Sequence, residues 1–558
     1  MNKWDVLAVT FLFCVALYAW TLPIQANPYP FGEGDAAWHF SIGDYISTHD
    51  TTISKLPIYI SLWYYNYNPV LGPHALEYPP PNHVNYALMS AFGGDRSVPI
   101  HIYRAISSFL GALAVFFLVR RLYGLAPALV AGFALIFSLR EMMLYMFGQQ
   151  PSLLSFTFVP VILYSYSQFL LPWLKGEFRP VYFYATVLLL LGQWLLHIQG
   201  LMLSAAILTV YTLWMLGRNL KFTTHFKKHI QRHRLIHFAI ALMLILAVAA
   251  PTYLIYFAVA GTSTSEAPFS SPLRLLQWGL TPKSVEGSFP PDYVLFNSTY
   301  PLWMLPLILA GIIFLMIRRS DNDILILSWL IGMYLALHLD VFTGASSSRI
   351  ARSLVAEGQL FFVLMALGAW FLTGTVLRYV NLSKQLKLFA RIGIPALLIL
   401  LIFSTVGSDR INLMKSAYQD PMRITSPEAD AAQWLDQNVP WDSLVYDVGT
   451  ITYPKTRWLL ALSQRHVRAF TGDIGGGAYP LYISKYYMLF DYSDLLRLAN
   501  QQEQVSSLQG FEQAITIDGA QLVYNTQPIR IYDVTMLAAE NQNATALNES
   551  VEVLNETG

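Results

Sequence analysis

Two acidic residues and a histidine open the segment that follows the first apolar stretch of this chain. Glu33 and Asp35 stand in the run PFGEGD, which begins at residue 30 and whose glycines allow a tight backbone turn. Asp35 would then begin a helix that continues through His39, and the helix dipole favours a carboxylate at that end. An ionised carboxylate there can act as a general base or a metal ligand. The alternative is that Asp35 only caps the helix.

Glu77 and His83 flank three consecutive prolines near the end of the same segment. Prolines enforce an extended chain and stop a helix, so these two side chains would be held on a rigid support. Glu77 and His83 are therefore candidate site residues. The alternative is a rigid connector with no further role.

The composition shows which kind of protein positions these residues. Of 558 residues, 55% are apolar and 12% are charged, whereas a soluble globular chain carries about 25% charged residues. The mean hydropathy is +0.43. These values exclude a disordered chain and an ordinary soluble enzyme and indicate a membrane protein. The net charge of +1 argues against a nucleic-acid partner, and the single cysteine, Cys14, excludes an intramolecular disulfide and a cysteine-based zinc site.

Eleven stretches are apolar enough to be predicted as membrane spans. They lie near 4–24, 99–119, 124–139, 151–173, 180–197, 199–217, 235–259, 301–317, 323–339, 353–377 and 391–408. With the N-terminus in the cytoplasm, the inner segments carry 17 basic and 4 acidic residues, leaving 18 basic and 30 acidic residues outside. This bias predicts a multi-pass protein of the plasma membrane with its C-terminus outside.

The predicted organisation is a transmembrane domain over 1–408 with a large outer loop at 25–98, an outer α/β domain over 409–536 and a disordered tail over 537–558. In the outer domain, Ser426 would cap a helix that begins at Pro427. Ser443–Val448 and Ile529–Val534 are predicted strands. Sequons at Asn297, Asn543, Asn548 and Asn555 are predicted to face outside, where they could carry glycans or arise by chance.

Several short motifs resemble those of the GT-C glycosyltransferases, the superfamily of the oligosaccharyltransferases and protein mannosyltransferases. They are the glycine–aspartate motif at Asp35, EYPP from Glu77, RRLYG from Arg120, PEADAAQWL from Pro427 and IRIYDV from Ile529. The resemblance implies a polytopic helical membrane enzyme with a small C-terminal α/β domain. It also implies a polyprenyl-phosphate-linked sugar as donor and a catalytic acidic residue that matches Asp35, with Glu33 beside it.

One motif departs from the oligosaccharyltransferase pattern. Where those enzymes carry the acceptor-reading motif WWDYG, this chain has Val445-Tyr446-Asp447-Val448-Gly449 without the tryptophans. Transfer to asparagine is therefore not expected. The chain is also similar to an uncharacterised prokaryotic membrane family described as related to 6-pyruvoyl-tetrahydropterin synthase, but it lacks the outer histidine cluster of that zinc enzyme.

Three arginines are candidates for binding the donor phosphate. Arg349 and Arg352 lie between the ninth and tenth predicted spans, close to where the resemblance places an arginine against the lipid phosphate, and Arg140 ends the third span. The alternatives are interfacial snorkelling for the first two and pairing with the adjacent Glu141 for Arg140.

The sequence thus predicts an inverting glycosyl transfer at the outer face of the membrane. Asp35 would deprotonate the acceptor or, with Glu33, hold a divalent cation such as Mg²⁺ or Mn²⁺. His39, His83 and Glu77 would line the acceptor or metal side. The alternatives are a non-catalytic transporter or flippase of lipids or sugars, and a scaffold in cell-surface assembly.

Overall fold

The structure is a computed structural model that describes thirteen ranges of the chain. These are 3–26, 28–32, 34–49, 81–93, 96–219, 232–252, 299–337, 354–380, 383–416, 423–450, 453–470, 483–497 and 502–540.

Up to residue 416 the described chain is almost entirely helical. In chain order the helices are α1 (Lys3–Ala26), α2 (Gly34–Thr48), α3 (Pro81–Ser90), α4 (Val98–Leu122), α5 (Leu125–Ile136), α6 (Leu139–Met146), α7 (Gln150–Leu174), α8 (Pro180–Leu196), α9 (Ile198–Arg218), α10 (Arg232–Thr252), α11 (Met304–Arg318), α12 (Asp321–Leu337), α13 (Leu354–Tyr379), α14 (Lys384–Ile402) and α15 (Ser408–Ser416). A single π-helical turn, Phe403–Gly407, joins α14 to α15.

Seven helical segments among the described residues are long and apolar enough to cross a membrane. They are Lys3–Gln25, Val98–Leu122, Leu125–Met146, Gln150–Leu174, Ile198–Arg218, Glu357–Tyr379 and Lys384–Ser416. Three shorter apolar helices accompany them: Pro180–Leu196, Arg234–Ala250 and Met304–Arg318. The chain is therefore an integral membrane protein, as predicted, while the count of eleven spans stays a prediction.

The apolar segment Leu125–Met146, which contains most of the third predicted span, is made of two helices. The α-helical pattern breaks between α5, which ends at Ile136, and α6, which begins at Leu139. At the last residue of α5 the indole N–H of Trp20 donates to the carbonyl of Ile136 at 3.0 Å, so a side chain of α1 satisfies a group at the end of α5.

The C-terminal domain, residues 423–540, is a small α/β unit. Its elements are α16 (Ser426–Asn438), β1 (Ser443–Val448), α17 (Tyr453–Ser463), β2 (His466–Ala469), β3 (Lys485–Asp491), α18 (Ser493–Arg497), α19 (Gln502–Ile517), β4 (Gln521–Thr526) and β5 (Ile529–Asp533). The sheet order is β2-β1-β3-β5-β4, with β2, β1 and β3 parallel and the other two pairs antiparallel. Both predicted strands are present, as β1 and β5.

The helix start predicted at Ser426 is wrong by one residue. Thr425 is the cap, and it forms a capping box with Glu428, which also accepts from the Thr425 hydroxyl at 2.8 Å. The glutamate three residues after Thr425 is the signal that identifies the true cap.

One apolar core joins α2 to the C-terminal domain. Phe40 and Ile42 of α2 are fully buried together with Leu435, Val445 and Trp458. The opposite face of the sheet packs in a separate cluster that includes Met488, Phe490 and Ala538. The helix that carries Asp35 is therefore part of the core of a domain that follows it by almost 400 residues.

Candidate active site

Asp35 lies in the first turn of α2 and is partly buried. The glycines around it explain this position. Gly32 has a φ of +113° and Gly148 a φ of +76°, backbone conformations that favour glycine. A Cβ at Gly148 would collide with the backbone nitrogen of Ala36, so α2 begins directly against the turn between α6 and α7.

His39 follows Asp35 by one helical turn, so the two residues lie on the same side of α2. Its Nδ1 lies 2.8 Å from Nε2 of His83 on α3, and both rings are buried. Burial lowers the pKa of His83 from 6.5 to about 3, and its Nδ1 has no hydrogen-bond partner among the described residues. The structure thus brings together two residues that the sequence places 44 positions apart.

A buried carboxylate at the other end of α2 fixes this helix to its surroundings. Arg96 Nε donates to Asp44 Oδ1 at 2.9 Å, and a second guanidinium nitrogen pairs with the other oxygen. Gln464 of the C-terminal domain donates to Asp44 Oδ2 at 2.9 Å. Because Asp44 is fully buried, these bonds hold α2 at a defined position.

Arg140 is buried and forms an ion pair with Glu357 at the start of α13. Its guanidinium lies 5.3 Å from the centre of the Tyr300 ring. The adjacent Glu141 instead accepts a hydrogen bond from Ser138. The ion pair between Arg140 and Glu141 that the sequence suggested is therefore replaced by one between Arg140 and Glu357.

The remaining predicted site residues lie outside the described residues. They are Glu33, Glu77, Arg349 and Arg352, together with the sequon residues Asn297, Asn543, Asn548 and Asn555.

The described side chains do not assemble a metal site. Within that part of the chain, no group of three or more His, Cys, Asp or Glu residues gathers in a way that could hold a metal ion. In addition, the short contact between His39 and His83 occupies one ring nitrogen of each. A cation bound by Asp35 would therefore need Glu33 or another residue outside the described ranges.

Two buried residues near Asp35 were not anticipated. Arg104, on α4, donates to the carbonyls of Phe31 at 3.2 Å and Tyr145 at 3.0 Å. Trp458, on α17, donates to the carbonyl of Gly32 at 2.9 Å. The sequence contained a signal for Arg104, since an arginine inside an apolar span is a functional candidate. It contained none for Trp458, because a buried tryptophan 426 positions away resembles any other core residue.

The fold over nearly the whole chain is similar to that of ArnT from Cupriavidus metallidurans. In the apo state that protein gives a TM-score of 0.52 at 12% identity, over 95% of this chain and 97% of ArnT. Bound to undecaprenyl phosphate it gives 0.50 at 13%, over 95% and 98%. The oligosaccharyltransferase AglB from Archaeoglobus fulgidus, in complex with an inhibitory peptide and a dolichol-phosphate, gives 0.47 at 13%, over 95% and 74%.

This chain is therefore a polytopic membrane protein with the fold of the GT-C glycosyltransferases, as its motifs predicted. No curated protein matches it. The chain belongs to a family described as a family of unknown function, DUF6541, whose model matches residues 3–447.

Proposed function

We propose that this protein is a membrane glycosyltransferase that moves a sugar from a polyprenyl-phosphate carrier to an acceptor at the outer face of the membrane. One observation carries the proposal: Asp35 lies in the first turn of α2, at the point where that helix meets the turn between α6 and α7 and the C-terminal domain. The likeness of the fold to ArnT, whose structure bound to undecaprenyl phosphate is known, supports the choice of donor.

In the proposed reaction Asp35 is the general base. The acceptor hydroxyl oxygen forms a bond to the anomeric carbon of the sugar, and its proton passes to a carboxylate oxygen of Asp35. The bond between that carbon and the phosphate oxygen breaks, and polyprenyl phosphate leaves with the electron pair. Attack opposite the leaving group inverts the anomeric configuration.

The other predicted residues take supporting roles in this proposal. His39, His83 and Glu77 line the acceptor side, where the buried histidine pair can orient a hydroxyl group. Arg349 and Arg352 stabilise the negative charge that develops on the leaving phosphate. Arg140 takes part in the same task from a position set by its ion pair with Glu357.

A divalent cation held by Asp35 and Glu33 is the alternative way to activate the acceptor. Glu33 lies outside the described residues. Treatment with EDTA distinguishes the general-base mechanism from activation by a divalent cation. The base mechanism predicts an unchanged rate, and a loss of activity that Mn²⁺ restores favours the cation.

The experiment uses the full-length protein in liposomes with radiolabelled undecaprenyl-phosphate sugars as donors and a total membrane extract as acceptor. Asp35→Asn is expected to lower the rate of transfer roughly 10²–10⁴-fold. Asp430→Asn is the control, because Asp430 is an exposed aspartate in the first part of another helix. Undiminished transfer by a folded Asp35→Asn protein sinks the assignment. Labelled lipid that crosses the bilayer with its sugar still attached identifies a transporter instead.

A further inference from the structure

Three successive carbonyl groups, which begin five residues before Asp35, are held by three different elements of the protein. The carbonyl of Pro30 accepts from the backbone N–H of Ile424 at 3.4 Å. The carbonyl of Phe31 accepts from Arg104 at 3.2 Å, and that of Gly32 accepts from the indole N–H of Trp458 at 2.9 Å. These groups belong to the start of the C-terminal domain, to α4 and to α17. The segment is therefore fixed from both the membrane helices and the C-terminal domain.

The Gly32 carbonyl is the one that matters most for Asp35. Gly32 is the last described residue before Gly34, the first residue of α2, and its φ of +113° belongs to a region where the backbone of glycine has unusual freedom. A peptide with that freedom keeps one orientation when its carbonyl is bound by a rigid donor. The hydrogen bond from Trp458 thus acts at Gly32, the residue of the turn whose backbone has no side chain to restrict it.

Trp458 is a rigid donor because its surroundings are fixed. The side chain is fully buried, and its ring lies 5.4 Å from that of Phe40 and 5.9 Å from that of His101, centre to centre. Phe40 is itself on α2, so Trp458 contacts both the turn and the helix that the turn begins.

The helix that carries Trp458 is also anchored at its first turn. Lys455 pairs with Glu428 at 2.8 Å and with Asp494 at 2.7 Å, and Thr456 donates to Asp447 at 2.5 Å. All of these side chains are buried. The indole therefore cannot follow a movement of the loop without disturbing the core of the C-terminal domain.

We propose that Trp458 is a positioning residue, whose indole N–H fixes the Gly32 peptide and so sets the direction from which the Asp35 carboxylate faces the acceptor. This inference rests on the proposed function for its effect on catalysis. The C-terminal domain then contributes to the active site by positioning the turn before Asp35.

The test replaces Trp458 with β-(3-benzothienyl)alanine, which keeps the bicyclic shape and lacks the N–H, and in parallel with Phe. Trp434→Phe is the matched control, because this half-buried tryptophan of the same domain lies against Tyr524, with 5.3 Å between ring centres and the rings tilted by 41°, and not on the loop. The readouts are hydrogen–deuterium exchange over residues 28–40, kcat and KM for the undecaprenyl-phosphate sugar, and the unfolding temperature.

Both Trp458 variants are expected to exchange faster over residues 28–40 and to lose roughly 10- to 100-fold in kcat, since small misplacements of a reacting group have effects of that size. KM is expected to stay within about twofold, because the donor contacts are untouched. Exchange over residues 28–40 that matches the wild type overturns the inference, as does an equal effect of Trp434→Phe. If the wild-type protein transfers no sugar, the proposed function fails, and the exchange measurement still decides whether Trp458 holds the turn.

Discussion

Lys455 and Glu428 form an ion pair of 2.8 Å in which neither side chain is exposed to solvent. Asp494 is the second carboxylate on the same ammonium group, at 2.7 Å. The pair joins the first helix of the C-terminal domain to the helix that carries Trp458. One buried ammonium group is therefore shared between two buried carboxyl groups at this point in the fold.

Removing that cation is expected to destabilise the C-terminal domain strongly. Lys455→Met leaves Glu428 and Asp494 without their charged partner, and an uncompensated buried charge costs roughly 3–5 kcal/mol. Lys485→Met is the control, because Lys485 is exposed at the start of β3. The unfolding temperatures of the two purified variants are measured in detergent. Equal unfolding temperatures for the two variants contradict the prediction.

The buried carboxyl group of Asp447 is expected to make the domain more stable in mild acid. Burial raises the pKa of Asp447 to about 6, against hydrogen bonds from Thr450 and Thr456 that lower it. The folded protein therefore holds this proton more tightly than the unfolded chain does between about pH 4 and 6, and this contribution to stability is lost as the pH rises through 6.

The unfolding temperatures of the wild type and of Asp447→Asn are measured between pH 7.5 and 5. The unfolding temperature of the wild type should rise relative to that of the variant as the pH falls, by an amount equivalent to about 1 kcal/mol at pH 5. Asp430→Asn serves as the exposed control. A difference that stays constant, or that changes in the opposite direction, refutes the assignment.

His83 is expected to make the folded protein less stable as the pH falls, the opposite of the effect of Asp447. Burial lowers its pKa to about 3, so the unfolded chain takes up the proton first as the pH falls below 6.5. The stability that the neutral ring contributes is then lost, by about 2 kcal/mol between pH 6.5 and 5. His83→Gln should abolish this loss, and His49→Gln, at an exposed position at the end of α2, should retain it. Equal pH dependence in all three proteins shows that His83 does not titrate as described.

Gly148 is expected to tolerate alanine far less well than another glycine of similar conformation. Gly148 and Gly176 have φ values of +76° and +89°, so alanine is strained at both, at a cost of roughly 1–2 kcal/mol. A Cβ meets the backbone of Ala36 at Gly148 and open space at Gly176. Gly148→Ala should therefore lower the unfolding temperature more and speed exchange at the start of α2. Similar effects of the two substitutions contradict the close packing of α2 on the turn.

Local patterns in the sequence predicted the parts of the fold that local chemistry determines. Apolar length identified the membrane helices, and the alternation in Ile529–Val534 identified β5, whereas β1 is buried along its whole length and shows no alternation. The glycines around Asp35 predicted the start of α2. The cap at Thr425 needed Glu428 to be considered together with it, because the capping box is a pair rather than a single residue.

The contacts that hold the site could not be predicted in the same way. Trp458 and Gly32, and likewise Gln464 and Asp44, meet only after the C-terminal domain folds onto α2. Neither pair leaves a periodic or spacing signal in the chain. The ionic partner of Arg140 could not be predicted for the same reason. Adjacent residues on a helix point in different directions, so Arg140 pairs with Glu357 of another helix and not with its neighbour Glu141.

The 426 positions between Gly32 and Trp458 also bear on how the protein is made. During synthesis the turn before Asp35 leaves the ribosome long before the helix that binds it. Every membrane helix must be inserted, and the C-terminal domain delivered to the same side as the first long loop, before this contact can form. A nascent or truncated chain that ends before α17 would thus reach the membrane with its first loop in place and the turn before Asp35 not yet held, so the site matures only after α17 has been made.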